Sequence, residues 1–326
     1  MAELEILTPE VLTGIIEKYT APPGNLGQSI FKRIPHPYSV AKWDVIQGNR
    51  YRATPTLPNR EGRLVSHLGV GQKTASFIYV REKKAFEPTT LRWLREPGQL
   101  ARANAEAAIR RELNDLNLRV ERLVESYCWE ALSGTIVVSY DDGSSVSIDL
   151  GLATSHKPTA ATLWSNTSNS DVIGDVKAWK RLIEQDSGYN ATDVYLTSTV
   201  MEYVYKNATI KGLFSERHKE QYLTKGEITD FLGLNWHVYD KGYVNASDTF
   251  VSYIATDHII MIAKDAPGAF ELLEGLSADE DAPRNHTGKF SKSWVEKDPS
   301  ARFVLVEYNF IPVIKLVDAV VYAKVA

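Results

Sequence analysis

The most regular alternation of apolar and polar positions in this chain lies in residues 98–132. Apolar side chains recur there at alternating steps of four and three, at Ile109, Leu113, Leu116, Val120, Leu123 and Tyr127. This spacing places one continuous apolar stripe along a single face of an α-helix. At about 1.5 Å per residue the helix extends for roughly 50 Å, far longer than the mean globular helix of about 11 residues.

The opposite face of this predicted helix is strongly charged. Glu106 and Arg110, and then Asp115 and Arg119, have the i,i+4 spacing that stabilises an exposed helix face. Two interpretations follow. In the first, the helix is a structural support on which the segments before and after it in the chain are arranged. In the second, it is a long helix packed in an ordinary α+β domain. The pattern by itself favours the second, more general interpretation.

The remaining pattern predicts short elements. Prolines in residues 1–43 predict an extended arm, interrupted by a helix at 9–19. Residues 44–87 are rich in glycine and predict an extended hairpin with a strand at 76–81. Asp141-Asp142-Gly143 predicts a hairpin turn within 134–150. We expect helices at 171–185 and 198–205, strands at 193–197, 235–239 and within 250–263, a charged excursion at 212–233, a loop-rich stretch at 265–297, and two long strands in 301–326 with a break at Pro312.

Composition limits the class of protein. The chain has 326 residues, 44% of them hydrophobic, which suffices for one large or two medium domains. The net charge of −4 argues against a dedicated nucleic-acid binder. The single cysteine, Cys128, excludes an intramolecular disulfide and is expected to be a buried small apolar side chain. No apolar run is long enough to span a membrane and no signal peptide is recognisable, so we expect a soluble protein made in the cytoplasm.

The familiar chemical motifs are missing or incomplete. Residues 69–74 contain two glycines and a lysine but lack the glycine directly before the lysine that a phosphate loop needs, so a hairpin tip is the better interpretation. No two histidines have metal-ligand i,i+4 spacing. Asp279-Glu280-Asp281 lacks the spaced ligands and turn glycine of a calcium loop. We therefore predict no catalytic residues, no cofactor and no metal site, although a site assembled only in space stays open.

The order of segments, more than any single motif, resembles a known family. The hairpin in 131–151, Trp164-Ser165 before the helix that contains residues 175–179, the Tyr-Asp-Lys-Gly-Tyr-Val segment at 239–244 and the closing strand at 309–325 occur in the order typical of tailed-bacteriophage major capsid proteins. The resemblance is nearest to the lambda-type capsid protein E family and covers nearly the whole chain. It implies an α+β class and the Hong Kong 97-type fold.

That resemblance implies a division of the chain and a role for each part. Residues 1–43 would be an N-terminal arm, 44–90 the E-loop that lies over a neighbouring subunit, 91–153 the P domain with its spine helix and hairpin, 154–297 the A domain, and 298–326 returning P-domain strands. The apolar stripe would pack the spine helix onto its domain. The candidate inter-subunit residues on the E-loop are Arg50, Arg52, Arg60, Arg63, Gly69 and Gly71, and those of a loop at the symmetry axes are Glu216, Arg217 and Lys219.

The implied function is that of a major capsid protein, not an enzyme. Copies of the chain would form the hexamers and pentamers of an icosahedral shell around double-stranded DNA, without sequence-specific DNA binding. A separate scaffold protein, a portal protein and a decoration protein are the implied partners, with assembly in the host cytoplasm and the virion capsid as the final location. An encapsulin-like nanocompartment shell shares the implied fold and is one alternative. An unrelated soluble enzyme is the other.

Overall fold

A computed structural model describes residues 7–18, 24–46, 52–53, 55, 61, 70–86, 99–225, 228–297 and 300–326. The helices are α1 (Pro9–Glu17), α2 (Leu26–Ile30), α3 (Gln99–Leu132), α4 (Val172–Ser187), α5 (Ser198–Lys206), α6 (Ala208–Leu213) and α7 (Glu216–Lys225). The first strands are β1 (Lys32–Pro35), β2 (Val40–Ile46), β3 (Val70–Ser76), β4 (Ile78–Phe86), β5 (Thr135–Ser139), β6 (Ser145–Asp149), β7 (Asp193–Leu196) and β8 (Ile228–Phe231). The later strands are β9 (Leu234–Val238), β10 (Gly242–Val244), β11 (Phe250–Ser252), β12 (His258–Ile262), β13 (Phe270–Glu274), β14 (Phe290–Lys297), β15 (Ser300–Ile314) and β16 (Val320–Lys324).

The long helix predicted from the apolar stripe is confirmed as α3, with 34 residues. Five of the six predicted stripe residues are buried, but Leu123 is only half-buried and Val124 is fully buried in its place. A strict alternation of four and three gives 3.5 residues per turn, whereas the helix has about 3.6, so the buried face drifts by one position over several turns.

The chain forms two compact units. The first comprises residues 1–41, 74–127 and 272–312. Its strands contribute to a five-stranded sheet in the order β1-β13-β15-β14, with β4 also pairing with β15. The strand β15 is antiparallel to both β14 and β4. Helix α1 buries Leu12 and Ile16, and its Thr13 hydroxyl donates to the carbonyl of Ser291 in β14 at 3.3 Å.

Three predictions for this unit need correction. Residues 265–297 contain long loops, as expected, but they also contain the strands β13 and β14, and β14 is fixed by an eight-residue antiparallel register with β15. The chain does not break at Pro312, which lies inside β15. The register with β4 ends at Phe310, so the missing N–H of Pro312 costs no bond in that pair. The N-terminal arm is not simply extended, since α2, β1 and β2 lie within it.

The second unit comprises residues 42–73, 128–271 and 313–326. Its five-stranded sheet has the order β16-β12-β7-β9-β8, in which β7 and β9 are parallel and the other three neighbouring pairs are antiparallel. Trp129, Tyr195 and Tyr239 form its aromatic centre, with ring centroids 5.1–5.2 Å apart around Trp129. The end of α3 from Cys128 onward therefore contributes to this core, and Cys128 is buried.

The predicted sheet partners in this unit also need correction. The family resemblance implies that the hairpin of residues 134–150 and both C-terminal strands share one P-domain sheet. The hairpin is confirmed as β5 and β6, but it forms a two-stranded sheet of its own. The two C-terminal strands separate, because β15 pairs with β14 and β4 whereas β16 pairs with β12. Strands of similar composition do not differ in any way that identifies their pairing partner, so the partner becomes evident only from the register in the folded chain.

Candidate assembly surfaces and buried charge networks

The described residues contain no cluster of three or more histidine, cysteine, aspartate or glutamate side chains able to hold a metal ion. Two histidines are engaged in structural bonds within the second unit. The two ring nitrogens of His156 lie 2.7 Å from the carbonyl oxygen of Val320 and 3.1 Å from Asp186. The Nε2 atom of His237 lies 2.8 Å from Asp193, whose pKa is lowered by this bond and one from Thr192 although burial alone would raise it.

The predicted E-loop residues lie mostly outside the described part of the chain. This applies to Arg50, Arg60, Arg63 and Gly69. Arg52 is described and is exposed. Gly71 is not at a hairpin tip as expected, because it lies inside β3, which pairs with β2. A Cβ atom added to Gly71 would meet only the carbonyl oxygen of Val45, at 4.0 Å.

The three predicted axis residues lie together on α7. The carboxylate of Glu216 accepts a bond from Lys219 at 2.7 Å, one turn later in the helix, and Arg217 is exposed. Two apolar side chains of this region, Leu213 in α6 and Leu223 in α7, are 59% and 77% exposed. One side of α7 packs on the same chain, where the ring of Tyr222 stacks on that of Tyr205 at 4.8 Å, but no side chain of α7 is fully buried. Its exposed side chains, Leu223 among them, therefore remain available for contact with another molecule.

The charged face of α3 is partly occupied by β4 of the same unit. Lys84 donates to Glu112 at 2.8 Å and to Asp115 at 2.5 Å, and Arg119 lies 2.8 Å from Glu82. The bond to Asp115 and then that to Glu112 raise the pKa of Lys84. The sequence predicted only the local pair of Asp115 with Arg119. The strand partner was missed because it lies about thirty positions away.

A row of polar side chains lies inside the first unit at four-residue steps along α3: Asn117, Glu121 and Glu125. All three are at most 2% exposed. The two carboxylate oxygens of Glu125 accept bonds from the N–H groups of Gly27 and Gln28 at 2.8 and 2.9 Å. They satisfy donors in the first turn of α2 that have no partner within the helix. These three residues extend the buried face of α3, but their side chains are polar or charged where those of the stripe are apolar.

Glu121 is the centre of a buried charge network in the first unit. Its carboxylate accepts a bond from Lys289 and lies 3.3 Å from Arg33, which also contacts Glu274 at 3.5 Å. Burial alone would raise the pKa of Glu121, but the charges of Lys289 and Arg33 outweigh it and keep this pKa low. The hydroxyl of Tyr308 donates to Glu274 at 2.7 Å, and burial raises the pKa of Tyr308 well above its usual value.

A second network surrounds Asp279, whose side chain is 2% exposed. It accepts bonds from Arg81 at 2.6 Å and Lys292 at 2.7 Å, and from the N–H of Asp281 at 3.0 Å. Burial alone would raise the pKa of Asp279, but the bonds from Lys292 and Asp281 and the nearby cations give a net lowering. The three consecutive acidic residues 279–281 favour a solvated loop, but the segment is anchored in the fold by Asp279.

The site thus consists of surfaces and structural networks. The fold that carries them matches several solved structures. A capsid protein of a prophage of E. coli CFT073 matches with a TM-score of 0.69 and 14% identity, over 98% of this chain and 99% of that one. The capsid protein of Myoviridae phage XM1 matches with a TM-score of 0.53 and 12% identity, over 95% and 94%. The SrpI encapsulin of Synechococcus elongatus PCC 7942 matches with a TM-score of 0.52 and 8% identity, over 94% and 91%.

These likenesses define the class: the chain has the mixed α+β fold of Hong Kong 97-type shell proteins, as the sequence predicted. The family follows from the sequence itself. Residues 8–325 match the family described as phage major capsid protein E, and the chain belongs to that family. No curated protein matches the sequence. Among the described residues, no helix has the length and apolar character needed to cross a membrane.

Proposed function

We propose that this chain is the subunit of an icosahedral bacteriophage head, which self-assembles into hexamers and pentamers and encloses double-stranded DNA. The observation that carries the proposal is the match to the major capsid protein E family over residues 8–325. The likeness in fold to the prophage capsid protein over 98% of the chain supports it.

Within this proposal, each segment has the role that the family resemblance implies. Residues 44–90 act as the E-loop on a neighbouring subunit, with Arg50, Arg52, Arg60 and Arg63 pairing with acidic side chains there. The helix α7 forms the contact at the five- and sixfold axes. The exposed Leu213 and Leu223 support this role, since apolar side chains of this size are stabilised when an interface removes them from water.

The partners are also part of the proposal. A separate scaffold protein directs assembly in the host cytoplasm, a portal protein occupies one vertex, and a decoration protein binds the outer shell. The DNA is enclosed without sequence-specific contacts, in agreement with a chain whose net charge is −4. The domain limits at residues 43, 90, 153 and 297 belong to the same proposal.

Negative-stain electron microscopy and analytical ultracentrifugation of the purified chain test the assembly. The chain is examined alone and with the product of a neighbouring scaffold gene. We expect closed shells of uniform diameter built from rings of five and six subunits. A monomer of 36.5 kDa that never assembles, at high concentration or with scaffold, would contradict the proposal.

The likeness to an encapsulin supports a second candidate, a nanocompartment shell that packages a protein cargo. The contents of particles recovered from the native source separate the two. Nuclease-protected DNA of genome length is expected for a phage head. Particles that carry an enzyme and no protected DNA would instead support the nanocompartment.

A further inference from the structure

The turn of the hairpin formed by β5 and β6 contains a chemically reactive dipeptide. Asp142-Gly143 is the one Asp-Gly sequence among the 326 residues. In such a dipeptide no side chain shields the glycine nitrogen, so this nitrogen can attack the carboxyl group of the preceding aspartate and close a succinimide ring. Residues 139–146 are all exposed, so water has access to the turn and to any ring that forms there.

The fold needs a glycine at this position. The loop between the paired residues Ser139 and Ser145 is closed by a bond from the N–H of Gly143 to the carbonyl oxygen of Tyr140, at 3.2 Å. Gly143 has a φ of +84°, in the left-handed region that glycine adopts without strain and other residues disfavour. A bulkier residue in place of Gly143 would slow the attack but strain the turn.

The side chain of Asp142 is held by Ser144. Its Oδ1 atom accepts a bond from the N–H of Ser144 at 2.8 Å and another from the hydroxyl group of the same serine at 2.6 Å. Ring closure requires rotation about the Cα–Cβ bond of Asp142, so it competes with both of these bonds. The attacking nitrogen of Gly143 must also give up its bond to Tyr140 when it loses its proton.

We propose that Asp142-Gly143 is a site of spontaneous isomerisation to isoaspartate, which Ser144 suppresses in the folded chain. Ser144 is a positioning residue, because it acts through the side chain of Asp142. The proposal goes beyond the shell function and does not rest on it, since residues 140–144 belong to the second unit of one chain.

The reaction needs water as its one other reactant. The nitrogen of Gly143 gives its proton to water and attacks Cγ of Asp142, where a C–N bond forms. The hydroxyl group of the carboxyl function takes up that proton and leaves as water, which gives the succinimide. Water then adds to one of the two ring carbonyls and breaks its bond to the nitrogen. Addition at Cγ restores aspartate, whereas addition at the main-chain carbonyl carbon gives isoaspartate, whose backbone runs through Cβ and Cγ.

The charge of Asp142 acts in the same direction as its bonds. The hydroxyl group and then the N–H of Ser144 lower the pKa of Asp142, which reduces the small fraction of neutral carboxyl group present at neutral pH. A carboxylate is a poor electrophile, and it has no hydroxyl group that can leave as water. Ser144 therefore keeps the side chain both bound and in its less reactive form.

Isomerisation would change the hairpin itself. The isoaspartate backbone is one carbon atom longer at residue 142. The turn is closed by the bond from Gly143 to Tyr140 and by the bond from the N–H of Tyr140 to the carbonyl oxygen of Ser144 at 2.9 Å. Because loop length and turn type fix the register of a hairpin, a longer loop would disturb the pairing of Ser139 with Ser145.

Ageing of the purified full-length chain in neutral buffer for several weeks tests the proposal. A synthetic peptide of residues 136–147 is incubated in parallel, because an isolated hairpin of this size is marginally stable at best. Chymotryptic peptides that begin at residue 141 are then fragmented by electron transfer, which distinguishes isoaspartate from aspartate although their masses are equal. We expect isoaspartate at position 142 to form at least about tenfold more slowly in the folded chain, since a hydrogen bond to a charged group is worth roughly this factor.

Variants of the two neighbouring serines make the test specific. Ser144→Ala removes the hydroxyl bond to Asp142 and is expected to raise the rate several-fold in the folded chain. Ser144→Thr keeps the hydroxyl group and should retain the wild-type rate. Ser145→Ala is the matched control, because it removes the same atom from the next residue, which is also exposed. In the synthetic peptide, Ser144→Ala should leave the rate unchanged.

Two results would overturn the proposal. One is a folded wild-type chain that forms isoaspartate as fast as the peptide does, and this result depends on no variant. The other is a folded Ser144→Ala chain whose rate equals that of wild type, or rises only by the factor seen in the peptide. Hydrogen exchange over residues 135–149 monitors the hairpin in every chain. If Ser144→Ala loses the turn, the comparison of wild type with the peptide decides.

Discussion

Glu121, Asn117 and Asp279 show what single residues contribute to this fold. Each is a polar group in the interior, and each has partners far away in the sequence. The apolar stripe predicts that Leu113 and Leu116 lie in the core. The stripe does not predict the burial of Asn117 or Glu121, because polar residues at these positions could equally lie at its solvent-exposed edge. Their burial became evident only with Lys289 and Arg33 beside them.

The lowered pKa of Asp279 leads to a prediction on stability and pH. A carboxylate whose folded pKa lies below its unfolded pKa stabilises the fold above the unfolded pKa, and this contribution is lost as the pH falls through the folded pKa. We therefore expect Asp279→Asn to lower the free energy of unfolding by about 2–3 kcal/mol at pH 7, because charged hydrogen bonds from Arg81 and Lys292 are lost. Urea unfolding of the unassembled subunit between pH 7 and pH 3 measures this.

The control for this variant is Asp281→Asn. Its carboxylate binds the same Lys292 but is 63% exposed, so a change well under 1 kcal/mol is expected. The gap between wild type and Asp279→Asn should narrow toward pH 3. A constant gap at every pH would show that the Asp279 charge is not what stabilises the segment.

At the scale of elements, those specified by a local sequence pattern could be predicted, whereas those that depend on tertiary strand pairing could not. The helix α3 could be predicted because its apolar repeat is sustained from Ile109 to Tyr127. The hairpin of β5 and β6 could be predicted because Asp142-Gly143 specifies its turn. The strand β14 could not, because its sequence FSKSWVEK mixes serines, lysines and a glutamate with its apolar residues. Its state depends on the register with β15, which supplies its backbone bonds.

The drift of the buried face of α3 gives a prediction within one element. Leu113 is fully buried whereas Leu123, which the sequence placed on the same stripe, is half-buried. We expect Leu113→Ala to lower the free energy of unfolding by about 3–4 kcal/mol, through lost burial and the cavity it leaves. Leu123→Ala should cost roughly half as much, since part of its side chain is already in water.

Both variants remove the same atoms from the same helix, so each serves as the control of the other. Urea unfolding midpoints of the two subunits, with unchanged slopes, give the comparison. Equal losses would mean that the stripe follows the strict alternation of the sequence and not the helix as described.

At the scale of the whole molecule, the family and the fold class were accessible from the order of segments alone. The sheet that each C-terminal strand joins was not. We also propose that the glycine-rich E-loop contains a hinge, because one chain that fits several positions in a shell must adopt several conformations. Gly71 lies in β3 and has room for a side chain, so the subunit itself should tolerate its replacement.

We accordingly expect the double variant Gly69→Val, Gly71→Val to impair shell assembly or expansion while the subunit unfolds at the wild-type urea concentration. The single variant Gly71→Val is the matched control, since valine suits a strand and a Cβ there has room. Light scattering during assembly and electron microscopy of the products provide the measurement. Shells of normal yield and diameter from the double variant would refute the hinge.

The sequence by itself determined the long helix, the hairpin, the mixed α+β class and the capsid family, because each rests on local repeats or on the order of segments. The tertiary structure decided the partners: β16 with β12, Lys84 with Asp115, Glu125 with the start of α2, and Lys289 with Asn117 and Glu121. The physical reason is the range of the interactions. Helix periodicity and turn geometry act over a few residues, whereas strand register and buried charge pairs join positions that only the folded chain brings together.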